Sequence, residues 1–137
     1  MATILCIDDG LRVLDVYKAV LGTKGYTVLT APDGPTGIAM ARRHSLDVLV
    51  LDFSMPGMDG NQVAQVLMKE QTNLPVVVCS GFPDDIPGSL KWFAASVLDK
   101  GCGPELLLLT IEKLIDATTT TKTPTDRERS IVSIASQ

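Results

Sequence analysis

Four apolar runs in this chain lead to residues that can do polar chemistry. Ala2 to Ile7 ends at Asp8 and Asp9, Val48 to Leu51 at Asp52, and Leu74 to Cys79 at Ser80; Ser96 to Leu98 leads, through Asp99, to Lys100. Val48 to Leu51 is aliphatic without alternation and is closed by Pro56, Gly57 and Gly60, the pattern of a strand buried on both faces. The carboxyl ends of such strands stand at the mouth of an open α/β sheet, where ligands bind. Three carboxylates crowded there repel one another, so a hard cation with oxygen ligands, Mg²⁺, is expected among them. With that charge screened, Asp52 is a carboxylate nucleophile for a phosphoryl group, and Ser80 and Lys100 are donors for its oxygens. Lysine serves here as a point charge. A capping or turn aspartate is the bland alternative for Asp52 taken alone. Its recurrence with polar groups at all four strand ends favours chemistry.

These groups meet only if the intervening segments bring the strand ends together. Leu14, Tyr17 and Leu21 predict an amphipathic helix over Leu11 to Lys24, stopped by Gly25, before a second strand over Tyr26 to Thr30. The turn Asp33-Gly34-Pro35 opens a helix that continues over Ile38 to Arg43, and Val63, Val66 and Leu67 mark a third helix after Gly60. Pro83, Pro87 and Gly88 limit a fourth to roughly Ser89 to Ala94. The fifth begins near Pro104 and runs through Leu106, Leu109 and Leu114 to about Asp116. Five β-α units in strict alternation imply a doubly wound, flavodoxin-like (βα)5 fold. Its five-stranded parallel sheet is expected in the order 2-1-3-4-5. That domain covers residues 1–117. Thr118 to Gln137, with four consecutive threonines, Pro124 and the charged stretch Asp126 to Arg129, reads as a disordered tail.

A chain of 137 residues with 45% hydrophobic content suits one globular domain. A net charge of -4 argues against direct nucleic-acid binding, which needs a basic face. Cys6, Cys79 and Cys102 are odd in number and lack metal-ligand spacing, so they read as reduced structural thiols. Without a basic start or a long apolar run, the chain is expected to be cytoplasmic, with no membrane partner. His44 is expected on the surface at a helix end, without a role. Trp92 and Phe93 are adjacent on a short helix, about 100 degrees apart, so either one of them is exposed or both wrap into a thin core.

The Asp-Asp pair after strand one, Leu-Asp-Phe-Ser-Met-Pro-Gly-Met-Asp-Gly after strand three, Ser-Gly after strand four and Asp-Lys before helix five together resemble a response-regulator receiver domain. The resemblance covers about Ala2 to Asp116 and is to stand-alone receivers of the chemotaxis-regulator type. It implies that Asp52 is the phospho-acceptor, that Asp8, Asp9, Asp52 and the Ser54 backbone carbonyl bind Mg²⁺, and that Ser80 and Lys100 are the switch hydroxyl and the phosphate-binding lysine. The implied partner is a sensor histidine kinase or histidine phosphotransfer protein, with a protein target downstream. The implied state is a monomer or weak homodimer. Such a domain is an acceptor rather than an enzyme, autophosphatase activity aside.

Three departures fall on the output half. Gly101 follows Lys100 where receivers usually have a proline after a cis bond; a cis bond to glycine costs about 2.5 to 4 kcal/mol, so a trans bond with a displaced Lys100 is one expectation. Val97 stands where a switch aromatic is common, and the segment after Ser80 is short and rich in breakers. The alternative is therefore a pseudo-receiver, an interaction module independent of phosphorylation. A haloacid-dehalogenase-type phosphatase would need a second aspartate where Ser54 stands. A flavodoxin would find its cofactor phosphate repelled by Asp8 and Asp9.

Overall fold

The structure, a computed structural model, describes residues 2–122, with side chains through Ala117. Five strands, β1 (Thr3–Ile7), β2 (Thr27–Ala31), β3 (Val48–Asp52), β4 (Val76–Ser80) and β5 (Ser96–Asp99), alternate with five helices. These are α1 (Leu11–Gly22), α2 (Gly34–Arg43), α3 (Gly60–Glu70), α4 (Gly88–Phe93) and α5 (Pro104–Lys122). Single 3-10 turns lie at Pro83–Asp85 and Lys100–Cys102. The strands form one parallel sheet in the order β2-β1-β3-β4-β5, the flavodoxin-like arrangement expected from the alternation.

Side chains alternate across each strand, and the two sets build two cores. On one face, Leu5, Ile7, Leu49, Leu51, Val76 and Val78 pack with Ile38, Ala41, Val63 and Leu67 of α2 and α3. On the other, Ile4, Cys6, Val48, Val50, Val77 and Cys79 pack with Leu14, Tyr17, Leu21, Leu107 and Ile111 of α1 and α5. Every residue of β3 and β4 is buried. Burial of each large aliphatic side chain is worth about 1.5 to 3 kcal/mol, which is why these runs carry no polar residue before their last position.

Local signals set where the helices begin. The Asp33 side chain accepts the Thr36 amide at the start of α2, where Pro35 occupies the first turn. At α3, Asp59 and Gln62 form a capping box, each side chain accepting the other's backbone N–H. The register aligns Ile7 of β1 with Leu51 of β3, so Asp8 and Asp52 emerge as neighbours at one end of the sheet. Asp52 in turn aligns with Cys79, and Ser80 with Asp99.

Two expectations change. Trp92 and Phe93 are both exposed, at 83% and 65%, because the six-residue α4 turns a single residue, Leu90, fully into the core. Helix α5 continues past Asp116 through Thr118–Lys122, so the first residues assigned to a disordered tail are helical. Threonine lowers helix propensity by well under about 1 kcal/mol per residue, and extending an existing helix is far easier than starting one. The remainder of the expected tail, 123–137, lies outside the described residues. Among the described residues no helix is long and apolar enough to cross a membrane.

Candidate functional site

The parallel register brings together the chemistry-bearing residues at the carboxyl ends of β1 and β3. Asp8 and Asp52 are buried, Asp9 is exposed, and one carboxylate oxygen from each lies within 4.8 Å of the others. From the loop after β5, Lys100 Nζ reaches Asp8 Oδ2 at 2.8 Å and Asp52 Oδ1 at 3.1 Å. Lys100 is therefore in place, although no peptide bond among the described residues is cis. The displacement that Gly101 suggested does not occur.

Backbone donors hold the two buried carboxylates. Gly10 N–H donates to Asp8 Oδ1 at 2.9 Å, and Ser54 N–H to Asp52 Oδ1 at 3.3 Å. The β3–α3 loop folds back over the strand end, with Gly60 N–H donating to the Phe53 carbonyl. A Cβ on Gly60 would lie 2.6 Å from the Asp52 carbonyl oxygen, so this approach needs a glycine. These donors and the Gly60 contact were not foreseen from sequence, where they are ordinary loop residues.

Burial, followed by the charge of Asp8, pushes the Asp52 carboxyl up to about 6, outweighing the Lys100 ammonium and the Ser54 N–H that favour its ionised form. Burial also disfavours the Lys100 ammonium, but its contacts with Asp8 and Asp52 prevail and hold it above the ordinary lysine value. One ammonium against three carboxylates leaves an excess of negative charge. Asp8 Oδ2 is buried without a hydrogen bond of adequate geometry, its close neighbour being the Lys100 ion pair. An oxygen-rich, anionic pocket with a lone pair to spare suits a hard divalent cation.

Ser80, buried at the end of β4, uses its hydroxyl oxygen to accept the Phe82 N–H at 2.9 Å. Ser54 is exposed in the loop after β3. His44 is exposed at the end of α2, where its N–H caps the Met40 carbonyl. Cys6 and Cys79 are buried free thiols, and burial pushes Cys79 up to about 12, so both act as packing groups. Cys102 is free and exposed.

Comparison with known proteins agrees with this geometry. Residues 4–112 match the model of the response regulator receiver domain. The chain is 33% identical to protein PilH of Pseudomonas aeruginosa over 120 residues, covering 84% of this chain and 98% of PilH. It is 37% identical to response regulator PleD of Caulobacter vibrioides over 118 residues, covering 82% of this chain but 26% of PleD, so it spans about a quarter of that relative. Among solved structures, a receiver domain protein from Clostridium thermocellum superposes with a TM-score of 0.79 at 27% identity, covering 88% of this chain and 98% of that one. TrrA of Thermotoga maritima, solved in complex with Mg²⁺ and BeF, gives 0.75 at 25% identity, covering 83% and 99%. On sequence, topology and the placement of its strand-end residues, this chain belongs to the response-regulator receiver domains of two-component systems.

Proposed function

We propose that Asp52 accepts a phosphoryl group from a histidine kinase or histidine phosphotransfer protein. The observation that carries this reading is the buried Asp8–Asp52 pair bridged by Lys100, with Asp9 beside it. Mg²⁺, held by Asp8, Asp9, Asp52 and the Ser54 carbonyl, would supply the positive charge that lets an anionic nucleophile and an anionic phosphoryl group approach. The complex of TrrA with Mg²⁺ and BeF supports that assignment by likeness.

In the transfer an Asp52 carboxylate oxygen forms a bond to phosphorus as the donor's P–N bond breaks, its electron pair leaving with the imidazole nitrogen. Lys100 moves its charge from the two carboxylates toward the new phosphoryl oxygens, and the Ser80 hydroxyl turns to donate to one of them. That turn disturbs the Ser80–Phe82 bond and carries the signal into the loop after β4. Val97, half-buried on β5, provides no aromatic rotation. The chain is an acceptor rather than an enzyme, its own catalysis being limited to autophosphatase activity.

Intact-mass measurement with acetyl phosphate tests the reading. The protein gains one phosphoryl group in Mg²⁺ and none in chelator. Failure to gain it under both conditions counts against the reading and favours the pseudo-receiver, an interaction module independent of phosphorylation.

A further inference from the structure

Lys100 is delivered to the site by a short and weakly restrained turn. The segment Lys100–Cys102 is a single 3-10 turn closed by a long Gly103 N–H to Lys100 carbonyl bond of 3.4 Å. Gly103 follows at φ 84°, a left-handed conformation that glycine adopts freely. Two glycines in four residues give this loop much conformational freedom to lose, and the lysine side chain adds its own rotamer entropy. Yet the ammonium lies within ion-pair distance of two buried carboxylates on two different strands.

Asp99, the last residue of β5, supplies the missing restraint. Its Oδ1 accepts the Gly101 N–H at 2.8 Å, shorter than the turn's own closing bond. The interaction reaches two residues along the chain and spans the Lys100 backbone. A Cβ on Gly101 would lie 3.2 Å from that same oxygen, so the carboxylate is seated closely against the turn. Because Asp99 aligns with Ser80 in the sheet, the bond ties the Lys100 turn to the strand end beside the site.

We propose that Asp99 is a positioning residue for Lys100: by accepting the Gly101 amide it fixes the turn that holds the Lys100 ammonium between Asp8 and Asp52, and thereby sets how tightly the site grips a phosphoryl group. The functional half of this inference rests on the phosphoacceptor reading; the structural half does not. Asp99 contacts neither Asp52 nor a transferred group, and its charge is not what matters. An amide oxygen at the same place would serve.

The test compares wild type with Asp99→Ala and Asp99→Asn in two arms. In metal-free protein, nitrogen-15 NMR reads the Lys100 ammonium and hydrogen exchange reads the Gly101 amide. Wild type and Asp99→Asn give a protected Gly101 amide and an observable Lys100 ammonium, whereas Asp99→Ala loses both while melting close to wild type. In the second arm, beryllium fluoride is titrated in saturating Mg²⁺. Asp99→Ala binds it about fivefold more weakly, the loss typical of removing a capping acceptor, while Asp99→Asn binds as wild type. In a Lys100→Ala background, Asp99→Ala causes no further loss. The inference is overturned if Asp99→Ala keeps the Lys100 signal and the wild-type affinity, if Asp99→Asn behaves like Asp99→Ala, or if the loss persists in Lys100→Ala. If wild type itself fails to bind beryllium fluoride, the phosphoacceptor reading falls, and the metal-free arm still decides whether Asp99 positions Lys100.

Discussion

The Ser80 hydroxyl oxygen accepts the Phe82 backbone N–H at 2.9 Å, so a buried group at the end of β4 is bonded directly to the loop that follows. A rotation of the Ser80 side chain that carries this oxygen toward a phosphoryl group weakens that bond. The expected result is that Ser80→Ala is still phosphorylated in Mg²⁺ but that amide shifts over Phe82 to Gly88 on phosphorylation fall well below those of wild type. Equal shifts in both proteins would remove Ser80 from the signalling path.

Asp52 carries a stability cost that depends on pH. Its carboxyl is raised from 3.8 to about 6 in the folded protein, first by burial and then by Asp8. A raised carboxyl favours the folded state fully below pH 4, and that contribution is lost as pH rises through 6. In chelator at pH 7.5, Asp52→Asn is therefore expected to be about 1 to 2 kcal/mol more stable than wild type, a discounted figure because solvent reaches the pocket. The gap closes near pH 4, and Mg²⁺ narrows it at pH 7.5. Urea titrations at the two pH values check this; a gap that widens on acidification would reverse the sign.

Gly60 lies under the Asp52 carbonyl, where an added Cβ would sit 2.6 Å from backbone oxygen and 2.7 Å from Phe53 Cα. Neither contact can be relieved by turning a side chain. Gly60→Ala is expected to cost about 1 to 3 kcal/mol in urea unfolding. A change below about 0.5 kcal/mol would mean that the β3–α3 loop is not held against the strand as described.

Trp92 and Phe93, both exposed on α4, make little contribution to the fold. Replacing either by alanine should change stability by no more than about 0.5 kcal/mol, and acrylamide should quench Trp92 nearly as well as free indole. An indole shielded in the isolated protein would contradict the placement of α4.

Much of this architecture was legible because it depends on patterns that are local in the chain. The run Val48 to Leu51 had to be a doubly buried strand, and once five such units alternate, the sheet places Asp8, Asp52 and Ser80 at its mouth without further information. The Lys100 turn was misjudged for the opposite reason. Gly101 in place of a proline suggested a trans bond with a displaced Lys100, whereas the lysine is held by a turn whose side-chain acceptor, Asp99, bonds an amide that sequence does not mark. Trp92 and Phe93 were expected to share their exposure unequally because adjacent residues on a helix point about 100 degrees apart. A helix of six residues with Leu90 turned inward has no second buried face to offer.

The central claim, that Asp52 is the phosphoryl acceptor, is tested most directly by tandem mass spectrometry of protein treated with acetyl phosphate and Mg²⁺. The account predicts a single phosphoryl group on the peptide containing Asp52, absent in chelator and absent in Asp52→Asn. A label on another peptide, or uptake by Asp52→Asn at the wild-type rate, would contradict it.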